Sequence, residues 1–399
     1  MSPDFFVCVW TGSGPPVLVE RYLKVRRVCE RKRARSWINS SPMTVGYTCV
    51  TARLLFKTLM PTGTGLEFPS DSLSELRTTR LECVSRTMST SPGEFTLVSE
   101  GPWSRRRKHQ AVVWHEKLLV LGGFDGEAAF DLNDVWSYDG TTWSVVTNRS
   151  GWSGRDGHCA VVFNGYVYIL GGTDDPYFCR SDIWRSNNGG NTWELLCETA
   201  PWPERWQHAA CVYEGKIFIS GGWGDKYLND VWSTLDGIYW KLECAAAPWK
   251  ARMFHSFINF NGNLYILGGH DGHTQLRDVW ASADGGKTWT QVCHMAQWEG
   301  RQGHTTVVID GYAYILGGFG GSVRFNDLWR SKDCSHWTLV NKNCSFSPRQ
   351  GHACIAYKGS LFVLGHSLTH SLTLSLAHVF LPSQVALTSL ATATRRTKR

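Results

Sequence analysis

One motif recurs through most of this chain and limits what it can become: Arg-x-x-His, at Arg106/His109, Arg155/His158, Arg205/His208, Arg252/His255, Arg301/His304 and Arg349/His352. Successive His residues are 49, 50, 47, 49 and 48 residues apart. A fixed period of this size means that one supersecondary unit is copied and stacked on its neighbours, so the repeat has to be read before any single strand. Each of the first five copies continues with an apolar run closed by Gly-Gly, beginning at Gly122, Gly171, Gly221, Gly268 and Gly317. An Asp-(Val/Ile/Leu)-Trp triplet follows, ending at Trp136, Trp184, Trp232, Trp280 and Trp329. A further Trp comes seven to nine residues later, and another stands three residues before the repeat Arg, with Phe346 in its place in the sixth copy. These positions absorb 15 of the 20 Trp.

Within a unit the pattern is that of four short strands. The second copy reads Cys159-Ala-Val-Val-Phe, Tyr166-Val-Tyr-Ile-Leu, Asp182-Ile-Trp-Arg and Thr192-Trp-Glu-Leu-Leu. These runs are rich in β-branched and aromatic residues, and Asn-Gly, Gly-Gly and Asp-Gly bound them, which favours strands over helices. Four strands in roughly 50 residues make a propeller blade longer than a WD40 unit. Through the Gly-Gly, the Trp that follows it and the repeat-end Trp, the chain resembles the Kelch-repeat family, over residues 94–365. The hairpin Ser282-Ala-Asp-Gly-Gly-Lys-Thr-Trp289, with relatives at Ser186–Trp193 and Ser137–Trp143, resembles the Asp-box of sialidases.

The expected fold is therefore all-β, a six-bladed Kelch-type propeller with repeats starting near 103, 152, 202, 249, 298 and 346. The segment Glu94–Trp103 matches the end of a repeat and supplies a fourth strand with no first three before it. It is expected to close the last blade, leaving no free sheet edge. That last blade is expected to be incomplete at its third strand, because after Gly365 the sequence turns into the four-residue period His366-Ser-Leu-Thr-His-Ser-Leu-Thr373. Simple repeats of this kind arise when a gene prediction reads into a microsatellite or intron; a replacement strand over Leu372–Ala377 is the weaker alternative. Residues 366–399 are thus read as a low-complexity tail and residues 1–93 as an extension, disordered or itself a gene-prediction artefact.

Residues 1–93 hold 13 Lys or Arg against 7 Asp or Glu, and the tail adds four cations, whereas residues 94–365 carry 24 cations against 27 acids. The overall charge of +7 therefore says nothing about what the propeller binds. Arg31-Lys-Arg-Ala-Arg35 could serve as a nuclear address, but a solvated extension is the plainer reading. The stretch Gly359–Thr394 lacks Asp, Glu, Lys and Arg, yet Ser, Thr, His and Pro interrupt it too often for a membrane span. Thirteen Cys without Cys-x-x-Cys pairs, together with an apolar stretch at the start too short for a secretory signal, point to a reduced, cytoplasmic protein.

The repeated Arg, His, Gly and Trp are expected above all to be structural, since every blade needs them. No catalytic set, cofactor or metal site is expected. His270-Asp-Gly-His273 is the nearest approach to a metal pair and lacks a third ligand. In a four-stranded blade the loops joining strands two to three and four to one share one face, and the variation between repeats gathers in the first set. Phe124, Tyr177, Phe178, Trp223, Tyr227, His270, His273, Phe319, Arg324 and Phe325 are the candidate partner-binding residues there, with Arg155, Arg205, Arg252, Arg301 and Arg349 from the four-to-one loops. The functional expectation is a non-catalytic, monomeric scaffold that binds a protein, not nucleic acid or membrane. The competing expectation is a glycan-directed protein, a lectin or an enzyme like the galactose oxidases or sialidases that share these motifs.

Overall fold

Each apolar run of the repeat becomes a strand, and each Gly-containing punctuation becomes a turn. The computed structural model describes residues 94–99, 101–174, 178–365 and the backbone of 376–380. After β1 (Thr96–Ser99), the first repeat forms β2 (Arg106–Arg107), β3 (Gln110–Trp114), β4 (Lys117–Asp125), β5 (Phe130–Tyr138) and β6 (Trp143–Thr147). The second forms β7 (Cys159–Phe163), β8 (Tyr166–Thr173), β9 (Cys179–Ser186) and β10 (Glu194–Cys197). The third forms β11 (Ala209–Tyr213), β12 (Lys216–Ser220), β13 (Val231–Thr234) and β14 (Trp240–Cys244), and the fourth β15 (Ser256–Phe260), β16 (Asn263–His270), β17 (Gln275–Ser282) and β18 (Thr290–Cys293). The fifth gives β19 (Thr305–Ile309), β20 (Tyr312–Leu316), β21 (Leu328–Ser331) and β22 (Thr338–Asn341). Last come β23 (Ala353–Tyr357), β24 (Ser360–Leu364) and β25 (Leu376–Phe380).

The protein is an all-β propeller. Five blades, not the expected six, are complete runs of successive antiparallel strands; the remaining sheet, in the order β1-β25-β24-β23, is assembled from the two ends of the described chain. The expected gap at its third strand is not there. β25 pairs with β24 from Ser360↔Phe380 to Val363↔Ala377, and with β1 at Thr96↔His378 and Leu97↔Ala377. Leu-Ala-His-Val-Phe lacks the Asp-x-Trp signature of the other third strands, but a largely apolar pentapeptide needs no signature to pair with an open edge. The expectations for residues 1–93, and for the tail apart from these five residues, lie outside the described residues.

First strands sit innermost, and each touches the next, β3 to β7, β11, β15, β19 and β23, with β23 returning to β3. Second strands are apolar without alternation because a neighbouring sheet covers each side; Leu118, Leu119, Val120 and Leu121 of β4 are all at most 1% exposed. Burying a side chain of that size contributes roughly 1.5–3 kcal/mol. Every seam between sheets has its own apolar cluster, including the one where Tyr357, Phe362 and Leu364 meet Leu118, Val120 and Tyr138. Fourth strands are outermost and each exposes two consecutive residues, Ser144 and Val145 in β6 and Glu194 and Leu195 in β10.

Asp-box-like turns connect the third and fourth strands. Ser282 Oγ accepts the Gly286 amide at 2.8 Å, and Asp284 Oδ1 accepts the amides of Lys287 and Thr288 at 3.1 and 3.0 Å. Trp289 Nε1 donates to Gly286 O at 3.0 Å, while its ring meets Trp249 edge-on at 6.1 Å. Ser282, Asp284, Thr288 and Trp289 all hydrogen-bond within the hairpin, so the motif serves here as a turn. No helix among the described residues is long and apolar enough to cross a membrane.

Candidate functional site

The repeated Arg comes first, because its placement separates scaffold from surface. Arg155 is 1% exposed. Its Nη1 and Nη2 donate to Asp182 Oδ1 and Oδ2 at 2.7 and 2.8 Å, and Nη1 also donates to Gly171 O at 3.0 Å. Its backbone belongs to the preceding blade: the Arg155 amide donates to Leu132 O, and Arg155 O accepts from Gly123. One residue thus pins two blades together, and the planar guanidinium suits it to a bidentate carboxylate. Arg205 with Asp230, Arg252 with Asp278 and Arg301 with Asp327 repeat the arrangement, and Arg349 Nη1 donates to Gly365 O. The assignment of Arg155, Arg205, Arg252, Arg301 and Arg349 to a binding surface is therefore corrected. All are at most 1% exposed and have their donors directed inward.

The Gly-Gly pairs and the repeated His explain one another. A Cβ on Gly171 would lie 3.3 Å from His208 Cε1 of the next repeat, and one on Gly172 would lie 2.7 Å from His158 Cβ of its own. Both glycines hold positive φ, +55° and +101°. Each His lies between two glycine backbones, against the repeat Trp, as with His158 and Trp152 at 6.1 Å. Burial, reinforced by the adjacent Arg, lowers His109, His158 and His304 to about 3 and holds His208, His255 and His352 well below the ordinary value. These imidazoles are neutral packing groups, not proton shuttles.

Around the axis the chain closes through the second residue after each repeat Arg. The Lys108 amide donates to Gly351 O (2.6 Å), Gly351 to Gly303 (2.9 Å), Gly303 to Phe254 (3.0 Å), Phe254 to Gln207 (3.0 Å), Gln207 to Gly157 (2.8 Å) and Gly157 to Lys108 (3.2 Å). All six hold φ between +52° and +61°. The ring rims a cavity of about 280 Å³ that runs down between the first strands. Burial raises the thiols in its wall, Cys354 to about 12 and Cys159 beyond that, so neither is a ready nucleophile.

Outside this rim lies the face that varies. Residues just after the Gly-Gly pair with residues just after the repeat Arg of the same blade: Trp206 with Trp223, Met253 with His270, Gln302 with Phe319. Arg107 stacks over Phe124 at 4.9 Å, Arg324 over Phe319 at 5.7 Å and Lys108 over Trp206 at 4.4 Å. Trp206 meets Trp223 at 6.5 Å and Phe254 at 6.1 Å. The result is a belt of aromatics and cations on a hydrogen-bonded rim.

A family model described as the KLHDC2/KLHL20/DRC7 Kelch-repeats domain matches residues 84–237 and 234–366, most of the chain. The chain belongs to the Kelch-repeat family. No curated protein matches it.

In this Kelch propeller the remaining candidates divide by role. Phe124, Trp223, Tyr227, His270, Phe319 and Arg324 lie half-buried on the face, Tyr227 meeting His270 at 6.2 Å. Phe178 is 67% exposed and His273 is exposed, while Tyr177 lies outside the described residues. Phe325 packs over buried Arg301 at 4.4 Å and so also supports its own blade. His270 Nδ1 accepts the Gly272 amide at 3.2 Å, and among the described residues no group of three His, Cys, Asp or Glu could hold a metal. The repeated Gly122, Gly171, Gly221, Gly268 and Gly317 all have positive φ between the blades. Trp136, Trp184, Trp232, Trp280 and Trp329 each donate Nε1 to the Asp that holds the repeat Arg, as in Trp184 to Asp182 Oδ2 at 2.7 Å.

The sequence reading overlooked Arg107, Lys108, Trp206, Gln207, Met253, Phe254 and Gln302. The available signal was the pair of residues inside Arg-x-x-His, which changes from copy to copy between two fixed positions.

Proposed function

We propose that this chain is a non-catalytic Kelch scaffold, a propeller of six blades closed by β1, that captures a protein partner on the loop face around its channel mouth. The observation that carries this reading is the belt of half-buried aromatics and cations, Phe124 with Arg107, Trp206 and Trp223 with Lys108, and Phe319 with Arg324, mounted on a rigid rim. Aromatic residues and Arg dominate binding hot spots because they bring large contact areas at small entropic cost. A rim fixed by backbone hydrogen bonds adds preorganisation. Support for the sixth blade comes from the pairing of β23 and β24 with β25 and β1, and from the closed ring of rim hydrogen bonds. The nine described cysteines are all free, in keeping with a reducing, cytoplasmic setting.

The test is capture by proximity labelling in cells, comparing the wild-type chain with Trp223→Ala/Tyr227→Ala. Partners that vanish with the double variant, at unchanged melting temperature and expression, support the reading; an unchanged set of partners refutes it.

A further inference from the structure

The mouth already holds a cation of its own. Lys108 Nζ stands 4.4 Å from the centroid of Trp206 and donates to Asp156 Oδ2 at 2.8 Å. Trp223, perpendicular to Trp206 at 6.5 Å, and Phe254, inclined at 68° and 6.1 Å, wall the same ring. An ammonium over an aromatic face beside a carboxylate is the arrangement that stabilises bound cations. Here it is filled from within the chain.

Asp156 supplies a second, independent observation. The residue is 4% exposed, yet its Oδ1 has no hydrogen-bond partner among the described residues. A buried carboxylate with one oxygen unserved is costly to keep and calls for another donor. Arg107, the other cation near it, is stacked over Phe124 at 4.9 Å. Burial raises the Asp156 carboxyl above its ordinary value in spite of the pull of Lys108 and Arg107.

We propose that the Trp206–Asp156 corner of the channel mouth is a receptor for a lysine side chain of the partner protein, and that Lys108 occupies it as an internal competitor in the free chain. The inference rests on the reading of this face as the docking surface and specifies its chemistry. A primary ammonium has three donors, enough for both Asp156 oxygens, whereas a quaternary ammonium has none. The rim fixes the Lys108 backbone through its amide and carbonyl, so the side chain can leave by rotation about its flexible stem without disturbing the fold. Displacement replaces one ammonium by another and gains the contact to Oδ1.

The experiment uses the full chain and n-butylammonium, the lysine side chain as a free molecule, followed through the Trp indole N–H resonances. Lys108→Met removes the competitor and keeps the apolar stem. It is expected to bind n-butylammonium saturably and about tenfold more tightly than wild type, about 1.4 kcal/mol. Adding Asp156→Asn is expected to cancel the gain, and tetramethylammonium and n-pentanol are expected to bind at least tenfold more weakly. A folded Lys108→Met chain without saturable shifts overturns the proposal, as does equal binding of tetramethylammonium. Lys108→Gln repeats the test if the Met variant does not fold. Because the probe is a free amine, its failure leaves partner capture by the wider face standing. Unchanged capture by Trp223→Ala/Tyr227→Ala with amine binding intact would overturn the docking reading alone.

Discussion

The amide of Lys108, in the first repeat, donates to the carbonyl of Gly351, in the last, at 2.6 Å. That bond completes the rim, and it places Lys108 where its side chain crosses to Asp156 and Trp206. Closure of the fold and chemistry of the face meet in one residue. The sheet that carries Gly351 into place is the one assembled from both ends of the described chain.

Phe95 tests that sheet. It is 4% exposed, meets Phe346 edge-on at 5.0 Å, and its amide donates to Ser345 Oγ at 3.0 Å. Phe95→Ala should destabilise the propeller by about 3–5 kcal/mol, read from the shift in denaturant midpoint. A loss below about 0.5 kcal/mol, the range of a neutral surface change, would show that β1 does not close the ring.

The Arg staples should behave as buried pairs. Arg205→Met leaves Asp230 charged and without its bidentate partner, and should cost about 3–5 kcal/mol by thermal or chemical unfolding. Adding Asp230→Asn should recover part of that loss, since the stranded charge is gone. A single variant of wild-type stability would refute the staple.

Acid should unfold the propeller through its histidines. Their folded values lie near 3 or well below the ordinary 6.5, so between those limits the unfolded chain binds more protons than the folded one. Their contribution to stability is complete above about pH 6.5 and is lost as pH falls toward about 3. Unfolding at pH 5 should take up about six protons from these histidines beyond the carboxylate contribution, measured by calorimetry in buffers of different ionisation enthalpy. Histidine uptake near zero would mean that the rings are charged or exposed in the folded state.

Gly221 tests the fit between blades. At φ +53°, an added Cβ would lie 2.8 Å from His255 Cε1 and 2.9 Å from Arg252 O. Gly221→Ala should destabilise by about 1–3 kcal/mol through strain and overpacking. Gly215→Ala, at φ +68° with nothing within 4 Å of its Cβ, should show the backbone term alone and cost less.

Much of this molecule is legible in the sequence, and what is not fails for physical reasons. The apolar runs of β4, β7 and β8 could be located because Gly lies at or just beyond the end of each. The Gly-Gly role could be read because no other residue suits φ near +55° and +100° in succession. The recurrence of Arg155 in every blade marked it as structural, but its pairing could not be read, because its partner, Asp182, lies 27 residues further on. β25 carries no repeat signature; only the open edge of β24 defines it. Lys108, Trp206 and Phe254 escaped attention because they are the variable residues within a fixed motif.

On the proposed reading the rim face, not the face of the turns between third and fourth strands, receives the partner. The most direct measurement is partner recovery by Trp223→Ala/Tyr227→Ala beside Leu235→Ala/Tyr239→Ala, whose side chains are 64% and 80% exposed on the opposite face. Recovery is expected to fall at least tenfold for the first pair and to stay at the wild-type level for the second. Loss with Leu235→Ala/Tyr239→Ala and retention with Trp223→Ala/Tyr227→Ala would contradict it.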